Sequence, residues 1–254
     1  MKTEFVKING KYKLNLLKHR ADFYKTHPDW EKERLNSIHK HISKHDIVYY
    51  VGAEQGEMPA LIAKWGAEVC VFEPNYSAWR SIYEAFKINK LPRPMGLFAM
   101  FVGNETNLEP KNPDKAILEG KGWELVDDPN SEFNNYPKYT TLELSKQSRF
   151  SELHNEKNGL PIVKIDDVAS HAKKGPTAIC IDVEGAELEV LKGAENTLAV
   201  YKPKIWLSIH PAFLKDYWKT TENKVLKYLY DRGYEAELLA DVHEKHYYCQ
   251  IKEK

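Results

Sequence analysis

The sequence predicts a doubly wound α/β fold built on a mostly parallel sheet of seven strands. An apolar run over 178–181 stops at Asp182 and Glu184 and is followed by a helical pattern, as expected for a buried strand leading into a crossover helix. Between residues 47 and 102, apolar runs alternate with amphipathic segments in the order β-α-β-α-β, which is typical of the same architecture. Acidic groups at the end of such a strand indicate a ligand site, because open α/β sheets bind ligands at that edge.

Composition bounds the class of protein. With 254 residues, of which 42% are hydrophobic, the chain fits one large domain or a domain with an added lobe. Its 37 basic and 37 acidic residues cancel, so we expect no nucleic-acid partner held by bulk electrostatics. Cys70, Cys180 and Cys249 lie far apart in apolar runs and are expected to be reduced core residues. Neither a signal peptide nor an apolar run of membrane-spanning length is apparent, so the expected location is the cytoplasm, without a membrane partner.

Residues 1–45 are expected to form a hairpin and a helix that extend a main domain over 46–254. The dipeptide Asn9-Gly10 between two alternating runs predicts the hairpin. A helix is predicted over 28–43, because Pro28 suits a first turn and apolar residues recur along one side.

The first half of the main domain carries three predicted strands. They are separated by a glycine-containing turn with a helix to about residue 65, and by an amphipathic helix. The predicted strands span 47–51, 68–72 and part of 96–102, and the second helix spans about 76–89.

Residues 104–160 interrupt this rhythm with a polar stretch rich in proline and asparagine. Long irregular segments inside compact domains are usually functional, so we expect a substrate-binding insertion, with a partly disordered segment as the alternative.

The α/β pattern resumes with the strand over 178–181 and a helix whose apolar residues run from Leu188 to Leu198. A fifth strand is predicted over 203–209, and a long helix is expected before the capping Gly233. The last two predicted strands form a closing hairpin. The long helix spans about 213–231, and the strands lie near 234–240 and 246–252.

The turn after the first central strand indicates a nucleoside ligand. Gly52 and Gly56 allow a backbone to approach a ligand closely, although a plain tight turn has the same glycines. Glu73 ends the next strand, 21 residues after Gly52. A carboxylate at about that distance grips a ribose diol in dinucleotide-type folds, so the combination predicts an adenosine-containing ligand.

Five segments together resemble the FkbM family of methyltransferases. They are Val51-Gly-Ala-x-x-Gly56, Phe72-Glu-Pro-Asn75, Ile181-Asp-Val-Glu-Gly-Ala-Glu187, Leu191-Lys-Gly-Ala194 and Ile209-His-Pro211. The resemblance implies an S-adenosylmethionine-dependent enzyme with the seven-stranded, Rossmann-like class I methyltransferase fold. Many members of this family methylate hydroxyl groups of sugars or natural products. The resemblance covers about residues 46–103 and 160–211.

The resemblance also implies roles for individual residues at the cofactor. Gly52, Ala53 and Gly56 are expected at the methionine end, and Glu73, with Asn75 beside it, at the ribose hydroxyls.

At the other positions of the family pattern, Val102 and Gly103 are expected to flank the adenine. Asp182, Glu184 and His210 are expected to face the sulfonium and the acceptor hydroxyl, with Asp182 also contacting the cofactor.

The expected catalytic base is His210, because histidine accepts a proton near neutral pH. His210 follows the strand next to the one that carries Asp182, which can orient its ring. Asp182 is the alternative base, with Glu184 holding a substrate hydroxyl. A structural role for His210 at the strand end is the third possibility.

The chain departs from the family pattern at three positions. Tyr50 stands where an acid usually precedes the first glycine, Glu54 replaces an asparagine, and Ser208 replaces an acid two residues before His210. One hypothesis is that Glu54 takes over the role lost at position 50, and the alternative is that Glu54 is a solvated loop residue.

The sequence therefore predicts methyl transfer from S-adenosylmethionine to a hydroxyl of a sugar or another small molecule. Two alternatives remain: a catalytically inactive binding scaffold, suggested by Tyr50 and Ser208, and an NAD-dependent oxidoreductase, which the Gly-x-x-x-Gly spacing disfavours. No metal is expected, although Asp182, Glu184 and the Asp166-Asp167 pair are oxygen donors.

Overall fold

The computed structural model of the protein describes residues 2–107 and 161–252. The chain begins with the predicted hairpin, whose turn residues Asn9 and Gly10 have φ angles of 52° and 67°. Positive φ at both central residues is the mark of a type I′ turn, which matches the twist of the strands. The first elements are β1 (Thr3–Ile8), β2 (Tyr12–Leu17), α1 (Lys18–Thr26) and α2 (Lys32–His41).

Two features of this N-terminal part differ from the prediction. Helix α1 was not predicted, because only Ala21 and Tyr24 of its nine residues are buried and the apolar pattern is too sparse. Helix α2 begins at Lys32, four residues after Pro28, and buries Leu35 and Ile38 as expected.

Strands and helices then alternate as the sequence predicts. The elements are β3 (Ile47–Val51), α3 (Glu57–Lys64), β4 (Glu68–Phe72), α4 (Tyr76–Ile88) and β5 (Gly96–Phe98). Two short strands, β6 (Phe101–Val102) and β7 (Ile162–Val163), pair in parallel apart from the main sheet and are followed by α5 (Ile165–His171). The predicted insertion over 104–160 lies outside the described residues from 108 onward.

The second half of the domain completes the sheet. Its elements are β8 (Ala178–Ile181), α6 (Glu187–Lys192), α7 (Glu195–Tyr201), β9 (Lys204–Ile209), α8 (Pro211–Asp216), α9 (Glu222–Tyr230), β10 (Tyr234–Asp241) and β11 (Lys245–Ile251). The predicted hairpin of the last two strands is confirmed, since β10 and β11 pair in antiparallel fashion.

The central sheet has seven strands in the order β10-β11-β9-β8-β3-β4-β5. Strand β3 lies between β8 and β4 and pairs in parallel with both, whereas β11 is antiparallel to β9. The predicted doubly wound, mostly parallel sheet is therefore confirmed. Because β3, β4, β8 and β9 run in the same direction, the residues that follow them meet at one edge.

The predicted helix from Leu188 to Leu198 is two helices, α6 and α7, with a break at Gly193. A β-carbon at Gly193 would lie 1.8 Å from the carbonyl oxygen of Gly103, so the helix is interrupted where two backbone segments are in contact. The side chain of Asp166 accepts hydrogen bonds from the backbone nitrogens of Asn196 (3.0 Å) and Thr197 (2.8 Å). It therefore caps α7, not the helix on which it lies.

The predicted helix over about 213–231 is likewise two helices, α8 and α9. The second begins after Thr221, whose hydroxyl accepts a hydrogen bond from the backbone nitrogen of Lys224. A side-chain cap at this position starts a new helix, which periodicity alone does not reveal.

The core is continuous across the sheet and the N-terminal elements, since Val6, Leu14 and Ile38 belong to the same buried cluster as Trp79 and Trp206. The three cysteines are buried and free, as predicted. Within residues 2–107 and 161–252, no helix combines the length and apolarity that a membrane crossing requires.

Candidate active site

A cavity of about 250 Å³ opens where β3, β4 and β8 end. Val51, Phe72 and Ile181 are register partners at the ends of these strands, so the residues that follow them converge. Seven of the residues singled out in the sequence line this cavity: Gly52, Glu54, Glu73, Asn75, Val102, Asp182 and Glu184.

The first glycine of the turn is required by close backbone packing. Gly52 has a φ of 82°, and a β-carbon there would lie 1.7 Å from the carbonyl oxygen of Asp182. Its nitrogen donates to the carbonyl of Phe72 (2.9 Å), which ties the turn to β4. Any other residue at this position would push the ends of β3 and β8 apart.

Gly56 serves a different neighbour. Its φ is 88°, and a β-carbon there would lie 2.7 Å from the Cα atom of Ile82 on α4. Gly56 therefore makes room for a helix, and among the described residues it is not part of the cavity lining. Ala53 and Gly103 also lie outside this lining.

Glu73 is fixed by the two turns around it. Its Oε2 accepts a hydrogen bond from the backbone nitrogen of Glu54 (2.8 Å), and its Oε1 accepts one from that of Asn75 (2.7 Å). Burial raises the pKa of Glu73 to about 7, against the lowering effect of these two hydrogen bonds. Each oxygen retains a second lone pair for a ligand in the cavity.

Glu54 lines the cavity in a left-handed backbone conformation, with a φ of 47°. Burial and the neighbouring carboxylates, Asp182 first among them, raise its pKa to about 8. Tyr50 does not line the cavity within the described part of the chain, and its hydroxyl accepts a hydrogen bond from Arg34 Nη2 (3.2 Å). The acid at position 54 thus reaches the ligand space and the residue at position 50 does not.

Arg34 reaches the site from helix α2 and was not predicted. Its side chain is 1% exposed, and its Nη1 lies 2.7 Å from Glu31 Oε2 and 2.7 Å from Asp182 Oδ2. Burial alone raises the pKa of Asp182, but Arg34 and His210 outweigh burial and hold it below the ordinary value. For Glu31, burial dominates and raises the pKa to about 7 despite Arg34.

His210 follows β9 and is surrounded by carboxylates. Its Nδ1 lies 2.8 Å from Glu187 Oε1, and its Nε2 lies 3.6 Å from Asp182 Oδ1 and contacts Glu244. Burial disfavours a charged ring, but the hydrogen bonds to Glu187 and Glu244 raise the pKa of His210 to about 12. The predicted adjacency of His210 and Asp182 is present, whereas His210 is not among the described residues that line the cavity.

Glu184 lines the cavity beside Asp182, and its φ of 54° places it in the left-handed region. Strained backbone of this kind concentrates at functional sites, where it aims a side chain. Burial raises the pKa of Glu184 to about 7, against the lowering effect of His210, whose Nε2 is 3.8 Å from its Oε2.

Several residues of the site carry no signal in the sequence. Arg34 is 148 positions from Asp182 and lies on a helix whose polar residues read as solvent-facing. Glu244 lies in the turn between β10 and β11, where a charged residue looks like an ordinary surface residue. Glu187 stands within the most specific sequence segment, so its position could have drawn attention, but its partner could not.

Comparison of the sequence with models of known protein families finds a match. The family model described as the methyltransferase FkbM domain matches residues 46–236. No curated protein matches the chain.

Solved structures give more distant likenesses. The methyltransferase FkbM from Methylobacillus flagellatus KT is 18% identical, with a TM-score of 0.48 over 82% of this chain and 44% of that one. This chain thus spans less than half of that protein. The precorrin-6y C5,15-methyltransferase from Geobacter metallireducens GS-15 is 9% identical, with a TM-score of 0.47 over 89% of each chain. M. jannaschii TYW2 in complex with AdoMet is 10% identical, with a TM-score of 0.44 over 97% of this chain and 84% of that one.

The role of Arg34 is tested by replacing it with methionine, which keeps the volume and removes the charge. Arg34→Met leaves Glu31 and Asp182 Oδ2 buried without the guanidinium that both contact, so we expect a loss of about 3–5 kcal/mol in the free energy of unfolding, measured with denaturant. Arg80→Met is the matched control, because Arg80 forms a half-exposed pair with Glu84 and its loss should cost about 1 kcal/mol or less. Equal stability of the two variants would contradict the role assigned to Arg34.

Proposed function

Because the chain belongs to the FkbM family of methyltransferases, we propose that it transfers the methyl group of S-adenosylmethionine to a hydroxyl of a sugar or another small molecule. Its Rossmann-like seven-stranded sheet is that of class I methyltransferases, and S-adenosylmethionine is the cofactor. The observation that carries the proposal is one cavity with Glu73 on one side and Asp182 and Glu184 on another.

The nucleoside end of the cofactor is proposed to lie at Glu73. A buried carboxylate held by two backbone nitrogens is a rigid acceptor for the two ribose hydroxyls. Val102 lines the cavity and supports an apolar contact with the adenine, whereas the contact of Gly103 with Gly193 supports a packing role beside it.

The methionine end is proposed to lie at the glycine turn. The sulfonium and the α-ammonium group of the cofactor are cationic, and Glu54 and Asp182 offer carboxylates to them. Gly52 lets the backbone come close, while Ala53 and Gly56 hold the turn against β4 and α4. This arrangement supports the hypothesis that Glu54 takes over the role of the acid missing at position 50.

Methyl transfer is an in-line displacement, so alignment of the acceptor supplies much of the acceleration. The acceptor oxygen attacks the methyl carbon, the carbon–sulfur bond breaks, and its electron pair stays on sulfur as S-adenosylhomocysteine. The hydroxyl proton passes to Glu184, which we favour over His210 because Glu184 lines the cavity. His210 then acts as a positioning residue for Asp182 and Glu184.

The acceptor is proposed to be a small molecule bound beside Glu184, with residues 104–160 shaping its pocket. Two observations support a reducing, cytoplasmic location and no nucleic-acid partner: the three free cysteines and the zero net charge.

Cofactor binding is tested by thermal unfolding with S-adenosylmethionine, S-adenosylhomocysteine and NAD. We expect the first two to raise the melting temperature and NAD to leave it unchanged, because only a ligand bound to the native state stabilises it. Glu73→Gln removes a charge-assisted acceptor and should weaken S-adenosylhomocysteine binding roughly 10- to 100-fold in calorimetry.

Glu68→Gln is the matched control, since Glu68 lies at the exposed opposite end of β4. A protein that responds to NAD alone would be an oxidoreductase, and one that responds to none of the three would fit the inactive scaffold.

The proposed base is tested by turnover. Glu184→Gln should lower kcat roughly 10²- to 10⁴-fold, because the proton acceptor is lost, while S-adenosylmethionine affinity changes by less than about threefold. The measurement is transfer of a labelled methyl group to a panel of sugars and other polyhydroxy compounds. Glu189→Gln on α6 is the control, because Glu189 pairs with Lys192 away from the cavity. Undiminished turnover of Glu184→Gln would remove it as the base.

A further inference from the structure

Three side chains at the ends of neighbouring strands, those of Asp182, His210 and Glu244, lie close together beside the cavity. Asp182 follows β8, His210 follows β9, and Glu244 immediately precedes β11, on which His246 is the second residue. One donor atom each of Asp182, His210 and Glu244 lies within 4.8 Å of the other two. Such a mixed set of imidazole and carboxylate is the donor chemistry of a divalent metal site.

Both histidines are anchored through their outer nitrogens. His210 Nδ1 lies 2.8 Å from Glu187 Oε1, and His246 Nδ1 lies 3.0 Å from Ser208 Oγ. Metal-binding histidines show this arrangement, in which an outer hydrogen bond fixes the ring and directs the other nitrogen at the ion.

The inner nitrogens of the two rings face the same carboxylate. His246 Nε2 lies 3.4 Å from Glu244 Oε1, and His210 Nε2 contacts the other oxygen of Glu244. His246 is 1% exposed, and its Nε2 is buried without a hydrogen-bond partner among the described residues. A buried polar atom that is aimed at a carboxylate yet bonded to nothing points to a missing ligand.

Asp182 is oriented with one carboxylate oxygen toward the same cluster. Its Oδ2 is held by Arg34 at 2.7 Å, so Oδ1 faces His210 Nε2 at 3.6 Å. Two ligands bound at about 2.1 Å from one ion lie roughly 3.0–3.4 Å apart, so small side-chain rotations bring these atoms into a coordination sphere.

We infer that this cluster binds one divalent cation of the first transition row through Asp182, His210 and Glu244, with the ion taking the place of the proton on His210 Nε2. His246 Nε2 lies outside this set of mutually close donors and would accept a hydrogen bond from a water molecule on the ion. Two carboxylates and one imidazole form an oxygen-rich donor set, which suits Mn²⁺. Ser208 pairs with His246 in the register of β9 and β11, so the acid absent at position 208 is replaced by Glu244 from the neighbouring hairpin. This inference departs from the sequence expectation that no metal is bound.

The ion would lie next to Glu184 at the acceptor side of the cavity. There it would act as a Lewis acid that lowers the pKa of the acceptor hydroxyl, so that the proton passes to Glu184 as the oxygen–methyl bond forms and the carbon–sulfur bond breaks with its electron pair left on sulfur. This catalytic role rests on the proposed function, whereas binding of the ion does not.

The test is a titration of the full chain, freed of metal by chelation, with Mn²⁺ alone and no cofactor. Free Mn²⁺ has a strong electron paramagnetic resonance signal. We expect the wild-type protein to reduce this signal by binding one Mn²⁺ ion per chain. Glu244→Gln and His246→Gln should each weaken binding at least tenfold. Asp241→Asn is the matched control, because Asp241 is an exposed acid of the same hairpin, and it should bind as the wild type does.

Absence of Mn²⁺ binding by the wild-type protein would overturn the inference, whether or not the variants fold. If both variants, Glu244→Gln and His246→Gln, give the circular dichroism spectrum of the wild type and still bind Mn²⁺ as tightly, the inference is overturned as well. The melting-temperature shift with S-adenosylhomocysteine is measured separately without metal. Its loss therefore speaks against the proposed function and not against the ion site.

Discussion

The site depends on the neutralisation of Asp182 at the end of the central parallel strands. Arg34 lies 2.7 Å from this carboxylate, and His210 approaches it from the other side. Burial alone would raise the pKa of Asp182, and the attraction of these two positive groups outweighs burial and holds that pKa below the ordinary value. Without these cations Asp182 and its neighbouring carboxylates, Glu31, Glu184 and Glu244, would repel one another.

This constraint explains why the N-terminal elements pack on the sheet. Arg34 lies on α2. The same helix is held at the sheet by the hydrogen bond that Trp206 Nε1 donates to Ser37 Oγ (3.0 Å). Trp30 stacks on His243, with ring centroids 4.6 Å apart, which ties the segment before α2 to the turn that carries Glu244. The extension is therefore part of the site as well as of the core.

The sequence predicted the periodic features well and the long-range ones poorly. The central strands, the turn at Gly52 and the carboxylate at Glu73 follow from apolar runs, positive-φ glycines and spacing, all of which are local. The breaks at Gly193 and before Thr221 were missed because a backbone contact and a side-chain cap interrupt an otherwise continuous periodicity.

The partners of the site were missed for a different reason. Arg34, Glu244 and His246 come close to Asp182 only when α2 and β11 pack, and no spacing rule connects them to it. The sequence motif identifies His210, but it does not reveal that the carboxylates of Glu187 and Glu244 contact its ring. Chemistry that lies on one strand end is readable in a sequence, whereas chemistry shared by several elements requires the fold.

In the complex that we propose, one cavity holds the cofactor with its nucleoside at β4 and its sulfur at β8. A crystal structure of the protein with S-adenosylhomocysteine tests this directly. We expect both ribose hydroxyls within hydrogen-bond distance of the Glu73 carboxylate, and the sulfur facing Asp182 and Glu184. A ligand bound outside this cavity, or with its ribose at Asp182, would contradict it.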